Sequence, residues 1–496
     1  MKKYAKVIIC LLVSILFSNT AIAQQFENIR NNYQKHLKEQ RDAYTKYKQE
    51  KEDEFRKYKD SINNEFAVYL AKAWACFDLQ KPEPPIKKPI SIPPVYDNTI
   101  PEPQPKEVPI VKPPTIPQPT PLMPLPILRP IPKYAPDPLE GICTEFFGTN
   151  ICIKDIIIPS ACLSGIIEKD VAQYWKILTN IPYLEIMDDA ERIKAKLQLN
   201  DWGLYQLLNQ LFNVYSPQGT NNEQVIFSVF MLNQLGYYAK IGRSGNELVP
   251  LVAFLQNVYN NSFFTYGNNL IKYSVLNPEC KQLSQIETCP IDYVDAVNSM
   301  DLSVAISPCF STQTTTKPLN GHPVSYNKNI VDFYSAYPCV HFSVYAEAAL
   351  DAVLQQSIEE QIRPLIAGKS QEEAANVLLH FVQKAFKYKT DDEQFGYERW
   401  FFAEETIASS YSDCEDRSIL FTQLVRSLLK LPVVLVHYPG QHLATAVKFS
   451  NPATTGDYVT VAGEKYLICD PTYINANLGI AMPNLRNTSV EIIKLK

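Results

Sequence analysis

The stretch SDCEDRSILFTQLVRSLL, Ser412–Leu429, sets one cysteine among three acids and follows it at once with an amphipathic run. Asp413, Glu415 and Asp416 are residue types that favour a helix N-terminus, so Cys414 reads as the opening of a helix. A structural cysteine needs a partner. A reactive one needs a base and a field that favours the thiolate. A helix N-terminus lowers a thiol pKa, and a neighbouring imidazolium lowers it further. The flanking acids oppose this unless their carboxylates turn away, to cap the helix or to pair with Arg417.

The surroundings supply the rest of a domain. Upstream, SQEEAANVLLHFVQKAFKY (370–388) is an amphipathic helix, with Ser370 as N-cap and Glu373 three residues on. Downstream, PVVLVHY, HLATAVKF, DYVTV and KYLICD read as strands, with a turn at Pro439-Gly440. Two helices followed by an antiparallel sheet make an α+β domain. His442 opens a strand 28 residues after Cys414, and Asp470 closes another 28 residues later. A thiol, an imidazole to take its proton and a carboxylate to fix the imidazole tautomer form the constellation for nucleophilic catalysis. His437 is the competing base, five residues earlier across the turn. Cys469 adjoins Asp470 on a strand, so its side chain faces the other way and is read as packed or disulfide-bonded.

The segments YSDCEDRSILFTQLVR, GQHLATAV and YLICDPTY resemble the transglutaminase-like superfamily over about residues 350–485. The resemblance implies a papain-like core with thiol, imidazole and carboxylate in the order found here. It makes Cys414 the nucleophile, His442 the base and Asp470 the orienting acid. An oxyanion would meet the Cys414 backbone N–H and a second donor from EQFGYERWFFAEET, either Gln394 or Trp400. The chemistry calls for no cofactor, and no zinc-ligand spacing or glycine-rich phosphate loop occurs.

An earlier segment echoes this one. LLNQLFNVY (207–215) parallels LLHFVQKAFKY, and QVIFSVFMLNQLGYYAKI (224–241) parallels the cysteine helix and its following strand. Thr220 then falls against Cys414 and Asn277 against Asp470. No histidine lies between residues 139 and 321. The first unit reads as a possible degenerate copy of the second; ordinary amphipathic patterning is the competing explanation.

The rest of the 496 residues divides by composition. Residues 1–23 have lysines, an apolar run and Ala21-Ile22-Ala23, the layout of a secretory signal peptide. Export to the periplasm, cell surface or exterior of a bacterium follows, with no membrane span in the mature chain. Residues 24–79 carry aromatic and aliphatic residues at 3, 4, 4 spacing in eleven-residue blocks: YTKYKQEKEDE, FRKYKDSINNE, FAVYLAKAWAC. That is one long helix with an apolar stripe requiring a partner, for which self-association as a coiled coil is one candidate. Residues 80–138 hold 21 of 37 prolines and read as a polyproline spacer. Residues 139–345 and 346–496 read as globular domains. The compartment permits disulfides; Cys143–Cys152 and Cys280–Cys289 could close short loops, and Cys76, Cys162, Cys309 and Cys339 are further candidates. The net charge of −5 argues against nucleic acid as a partner.

The expected function is therefore a secreted cysteine hydrolase or acyltransferase acting on peptide or carboxamide bonds of a protein or peptide substrate. Hydrolysis is favoured because nothing in the sequence marks an amine site. The alternative is a catalytically silent binding or scaffold protein of the cell envelope that keeps the fold.

Overall fold

The computed structural model describes residues 2–82, 90–99, 102, 104–111, 141–267, 270–276 and 283–496, with backbone alone for 2–29 and Asn31. Asn277 and Cys280, singled out above, lie outside the described residues, as do the side chains of the signal-peptide segment. Two compact units result, Met1–Glu65 and Phe66–Lys496.

A single helix runs over Lys2–Leu70. Its stripe residues Tyr33, Tyr44 and Tyr47 are 63%, 69% and 56% exposed, so nothing among the described residues covers them. The ion pairs Lys35–Glu39, Lys46–Glu50 and Lys48–Glu52 run in the weaker Lys-before-Glu order and are solvent-screened, so they do little to hold the helix. Among the described residues, no helix is long and apolar enough to cross a membrane. The expected helix end at 79 is corrected to Leu70. Trp74 Nε1 donates back to the Leu70 carbonyl at 3.0 Å. Ala75–Asp78 then becomes a strand, antiparallel to Gln285–Thr288. Phe77 stacks on Phe264 at 4.8 Å. Burial of that ring in the sheet overrides the helical periodicity.

The second unit is mixed α and β with antiparallel main sheets. The first sheet has six strands, in spatial order Ala75–Asp78, Gln285–Thr288, Ala239–Ser244, Glu247–Ala253, Ile271–Val275, Phe263–Tyr266. The second has five: Tyr458–Val461, Glu464–Cys469, His442–Val447, Val433–Tyr438, Glu491–Lys494. Both central strands of the second sheet are buried at every position, because both faces are covered. On one face, Val433, Val447, Leu467 and Cys469 meet Leu378, Leu379 and Val382 of the helix Gln371–Ala385 and Leu420, Phe421 and Leu424 of the helix Cys414–Leu424. On the other, Val434, Val436, Tyr438, Ala444, Ala446 and Ile468 meet Tyr473, Ile480, Met482, Leu485 and Val108. The hairpin Thr314–Asn327 gives Leu319 and Val324 to the first of these cores, so the core of the second domain extends upstream of residue 346.

The proline-rich segment also departs from expectation. Residues 90–99 and 104–111 are not a free spacer; they lie along the second domain. Val108 is fully buried, and its N–H donates to the Tyr458 carbonyl at 2.8 Å. Val111 N–H reaches the Val490 carbonyl at 2.9 Å. Isolated backbone donors of an extended chain are thus satisfied at sheet edges, which proline permits between its own positions. Cys143 and Cys152 face each other across a hairpin and are joined by a disulfide. Cys76, Cys162, Cys289, Cys309, Cys339, Cys414 and Cys469 carry free thiols.

The two halves share an order of elements. Helices Asp201–Tyr215 and Asn221–Gln234 precede the four strands 239–275, as helices Gln371–Ala385 and Cys414–Leu424 precede the four strands 433–469. The four strands occupy their sheets in the same spatial order, first, second, fourth, third. Glu223 and Asp416 are both buried third residues of their helices, and each accepts neighbouring-loop N–H groups: Cys162 N at 2.7 Å, Phe401 N at 2.9 Å. Strand register pairs Thr445 with Cys469 and Leu251 with Val275. Matching these pairs sets Leu248 at the place of His442 and Leu276 at that of Asp470. Thr220 caps its helix, where Asp413 caps the other, so Asn221 rather than Thr220 corresponds to Cys414.

Candidate active site

Asp413 is extended and caps the cysteine helix, and its N–H donates to Asp416 Oδ2 at 3.4 Å. All eleven residues of that helix are buried, so the run is not amphipathic in place. Its polar side chains have found partners instead. Ser418 Oγ donates to the Leu443 carbonyl at 2.9 Å, and Gln423 Nε2 to the carbonyls of Ala346 and Ala348 at 3.0 and 2.8 Å. Arg417 donates to Ser412 Oγ and the Phe386 carbonyl at 3.0 and 2.9 Å. Of the two roles expected for the flanking acids, Asp413 and Asp416 take the capping one; among the described residues Arg417 forms no direct ion pair with them, though both raise its pKa.

His442 and Asp470 lie together. His442 Nε2 lies 2.9 Å from Asp470 Oδ2, and both side chains are buried. Asp470 Oδ1 accepts the Thr472 and Tyr473 N–H groups at 2.9 and 3.3 Å, which fixes the carboxylate. The other imidazole nitrogen, Nδ1, is buried without a hydrogen bond among the described residues. Such an atom is costly to leave unpaired unless something is to meet it. Tyr438, directly across the hairpin, packs its ring 5.9 Å from the imidazole.

Cys414 opens its helix against the His442 strand: the Leu443 backbone N–H favours its thiolate, as does the Arg417 guanidinium. Burial, the Glu415 and Asp413 carboxylates and the bond to Glu415 all push the thiol well above its ordinary pKa. Sγ donates to Glu415 Oε2 at 2.8 Å. The expectation that the acids turn away is therefore corrected at Glu415, which turns toward the sulfur. The thiol is fully buried and neutral, and its proton is held by Glu415 rather than His442.

The acids belong to a wider buried group around the helix start. Asp391, Asp413, Glu415 and Asp416 are all held above the usual carboxylate range, first by burial and next, for the other three, by Asp413. Glu398 is pushed to about 7 by burial and by Asp413. Glu404 and Glu405 also reach about 7 through burial. Among the described residues, no group of three or more His, Cys, Asp or Glu side chains is arranged to hold a metal ion.

The remaining candidates are sorted by their contacts. His437 bonds Glu491 Oε2 at 2.9 Å, a cross-strand pair away from the Asp470 carboxylate. Cys469 packs in the helix-side core, opposite Asp470. Gln394 spends its amide on the Lys389 carbonyl at 2.9 Å. Trp400 is buried among Phe342, Tyr259 and Tyr345, with ring centroids 4.1, 5.4 and 6.0 Å away. Its indole N–H completes no well-formed hydrogen bond, though it lies near enough to Glu398 to lower that acid's pKa against burial.

Gln383 is the residue that sequence reasoning missed. From the helix Gln371–Ala385, its Nε2 donates to the carbonyls of Asp470, Tyr473 and Ala476 at 3.2, 2.8 and 3.0 Å, and its Oε1 accepts Asn475 N–H at 3.0 Å. It clamps the loop that carries Asp470. Its spacing from Leu379 and Val382 on the same buried face was the only sequence signal. No protein-family model matches the chain, and no curated protein matches it.

Proposed function

We propose that this chain is an exported transglutaminase-like cysteine hydrolase or acyltransferase with a papain-like core, acting on peptide or carboxamide bonds. The observation that carries the reading is the His442–Asp470 pair at 2.9 Å with Nδ1 left open, on the strand against which the cysteine helix packs. In the reaction, the Cys414 thiol turns from Glu415 and gives its proton to His442 Nδ1. The sulfur attacks the carbonyl carbon, and the oxyanion meets the Cys414 backbone N–H. Gln394 is engaged elsewhere, which leaves Trp400 as the second donor. His442 returns the proton to the leaving amine. Water then attacks the thioester, His442 taking its proton, and the free acid and thiol are regenerated. Asp470 holds the tautomer and favours the imidazolium. Hydrolysis is preferred to amine transfer, since no amine site is evident.

The degenerate-copy reading joins this proposal: Leu248 and Leu276 stand where a base and an acid would be, so the first unit would serve as support. The exposed tyrosine stripe of the long helix supports self-association, which would mount the globular part on an oligomeric base at the cell envelope. The test is mass spectrometry of the intact protein after incubation with an activated acyl ester. An adduct on Cys414 that disappears in Cys414→Ala and His442→Ala is expected. An adduct that survives both substitutions overturns the reading.

One observation favours a second reading. The neutral, fully buried thiol bonded to Glu415 suits a silent scaffold that keeps the fold without turnover. A scaffold gives no adduct on Cys414 in any variant that exposes it.

A further inference from the structure

Residues 90–96 pack against residues that adjoin His442 and Asp470. Ile474, four residues after Asp470, forms a parallel bridge with Val95. Tyr96 N–H donates to the Ile474 carbonyl at 2.8 Å, and Ile474 N–H donates to the Pro94 carbonyl at 2.9 Å. The Tyr96 ring meets Tyr473 edge-on at 5.7 Å, and Tyr473 N–H is a ligand of the Asp470 carboxylate. Ile90 packs into the apolar group that includes Tyr438 and Tyr473, and Tyr438 is the residue against the His442 ring. The Ile90 carbonyl accepts the Tyr388 hydroxyl. Tyr388 in turn lies against Arg417 of the cysteine helix, ring to guanidinium at 5.3 Å. An extended segment therefore pairs by its backbone with a loop edge, puts an aliphatic and an aromatic side chain into apolar positions, and leaves Ile92 and Val95 exposed. That is the manner in which extended peptides are recognised by strand addition.

We propose that the Tyr473–Ile474 edge is a binding site for an extended, proline-containing peptide chain, and that the protein's own residues 90–96 occupy it and mask Cys414 and His442. Both catalytic candidates have 0% exposure, and the segment stands against Tyr438, Tyr473 and Tyr388, which adjoin His442, Asp470 and Arg417. That the displacing chain is the substrate rests on the acyl-transfer reading above. The segment itself contributes no fully buried side chain over 90–99, so it can leave without opening a core. Residues 104–111, with buried Val108, stay as its anchor.

The test is the rate at which iodoacetamide labels Cys414 in the intact chain, compared with Ile90→Asp/Tyr96→Pro. The aspartate makes an apolar site charged, and the proline removes the N–H that binds Ile474. Labelling should rise roughly thirtyfold, the population change that loss of one hydrogen bond and one apolar contact together brings. A synthetic peptide of residues 90–99 added in trans should return the rate toward that of the intact chain. A second variant, in which 90–99 are replaced by Gly and Ser at equal length, keeps the test open if the first misfolds. Equal labelling of the intact chain and both variants overturns the proposal, as does faster labelling that the peptide cannot reverse. The pH dependence separates the two readings. Labelling that rises on opening but follows an ordinary thiol leaves the docking edge standing and removes the enzyme.

Discussion

At the residue scale, Asp470 has two distinct tasks, and substitution can separate them. Its Oδ1 accepts two loop N–H groups, and its Oδ2 orients His442. Asn keeps an acceptor for the loop but loses the charge that favours the imidazolium. In the opened variant, Asp470→Asn should slow Cys414 alkylation sharply at pH 6 and much less at pH 9, while stability stays within about 1–2 kcal/mol of the parent. Urea unfolding and the labelling rate check both parts. An unmoved pH profile would reduce the site to a Cys–His pair. Gln383→Ala should cost more, about 2–4 kcal/mol, because three buried carbonyls and one N–H lose their partner at once. His437→Ala removes the pair with Glu491 and the ring contact with Phe342, neither of which reaches Asp470, and should leave the alkylation profile unchanged. That Cys414, His442 and Asp470 sit at the ends of elements was legible from their flanks: Asp413 before the helix, the Pro439-Gly440 turn before the strand and Pro471 after Asp470. Gln383 was not, since a glutamine on a helix carries no sign of the loop it will hold. Glu415 was misread because its direction is set by three-dimensional neighbours, among them Asp413 and Glu398, whose burial no local pattern announces.

At the scale of elements, the two helix–sheet units were legible as order but not as register. Helical periodicity and strand runs gave the succession of elements in both halves. The partner of Asp470 was set at Asn277 by counting along the chain, whereas strand pairing places Leu276 there; a one-residue shift moves a side chain to the other face. The long helix shows the same limit. Its repeat continues through Ala73 and Phe77, yet the helix ends at Leu70 and the sheet takes Phe77 into an edge strand. Its exposed stripe makes a prediction for the whole chain. Sedimentation should show an oligomer that Tyr33→Glu, Tyr44→Glu and Tyr47→Glu together convert to a monomer, with labelling of Cys414 unaltered. A parent chain that is monomeric at every concentration would remove the coiled-coil reading.

At the scale of the molecule, the acids buried around the helix start set a pH dependence of stability. Glu398, Glu404 and Glu405 titrate at about 7 in the fold, against an ordinary 4.5. Between those values the folded state holds protons that the unfolded chain has released, so stability falls as pH rises through the window, and the more strongly raised Asp391, Glu415 and Asp416 extend the fall above it. Glu398, Glu404 and Glu405 each account for a change on the order of 3 kcal/mol. His341, whose pKa burial lowers, works the other way as a single group. Urea midpoints at pH 5 should therefore exceed those at pH 7.5; the reverse order would show that these acids are not buried as described. The proline-rich segment was legible only as a chain that cannot form a ladder of its own. Its docking depends on edges offered by Tyr458, Ile474 and Val490, which no local pattern foretells. The measurement that bears most directly on the proposed chemistry is the pH profile of Cys414 alkylation in the opened variant, with and without His442→Ala. A thiolate paired with an imidazolium gives a rate that remains high down to about pH 6 and falls to that of an ordinary thiol, half-ionised near 8.5, when the histidine is removed. Two superimposable profiles, both rising only near pH 8.5, would contradict it.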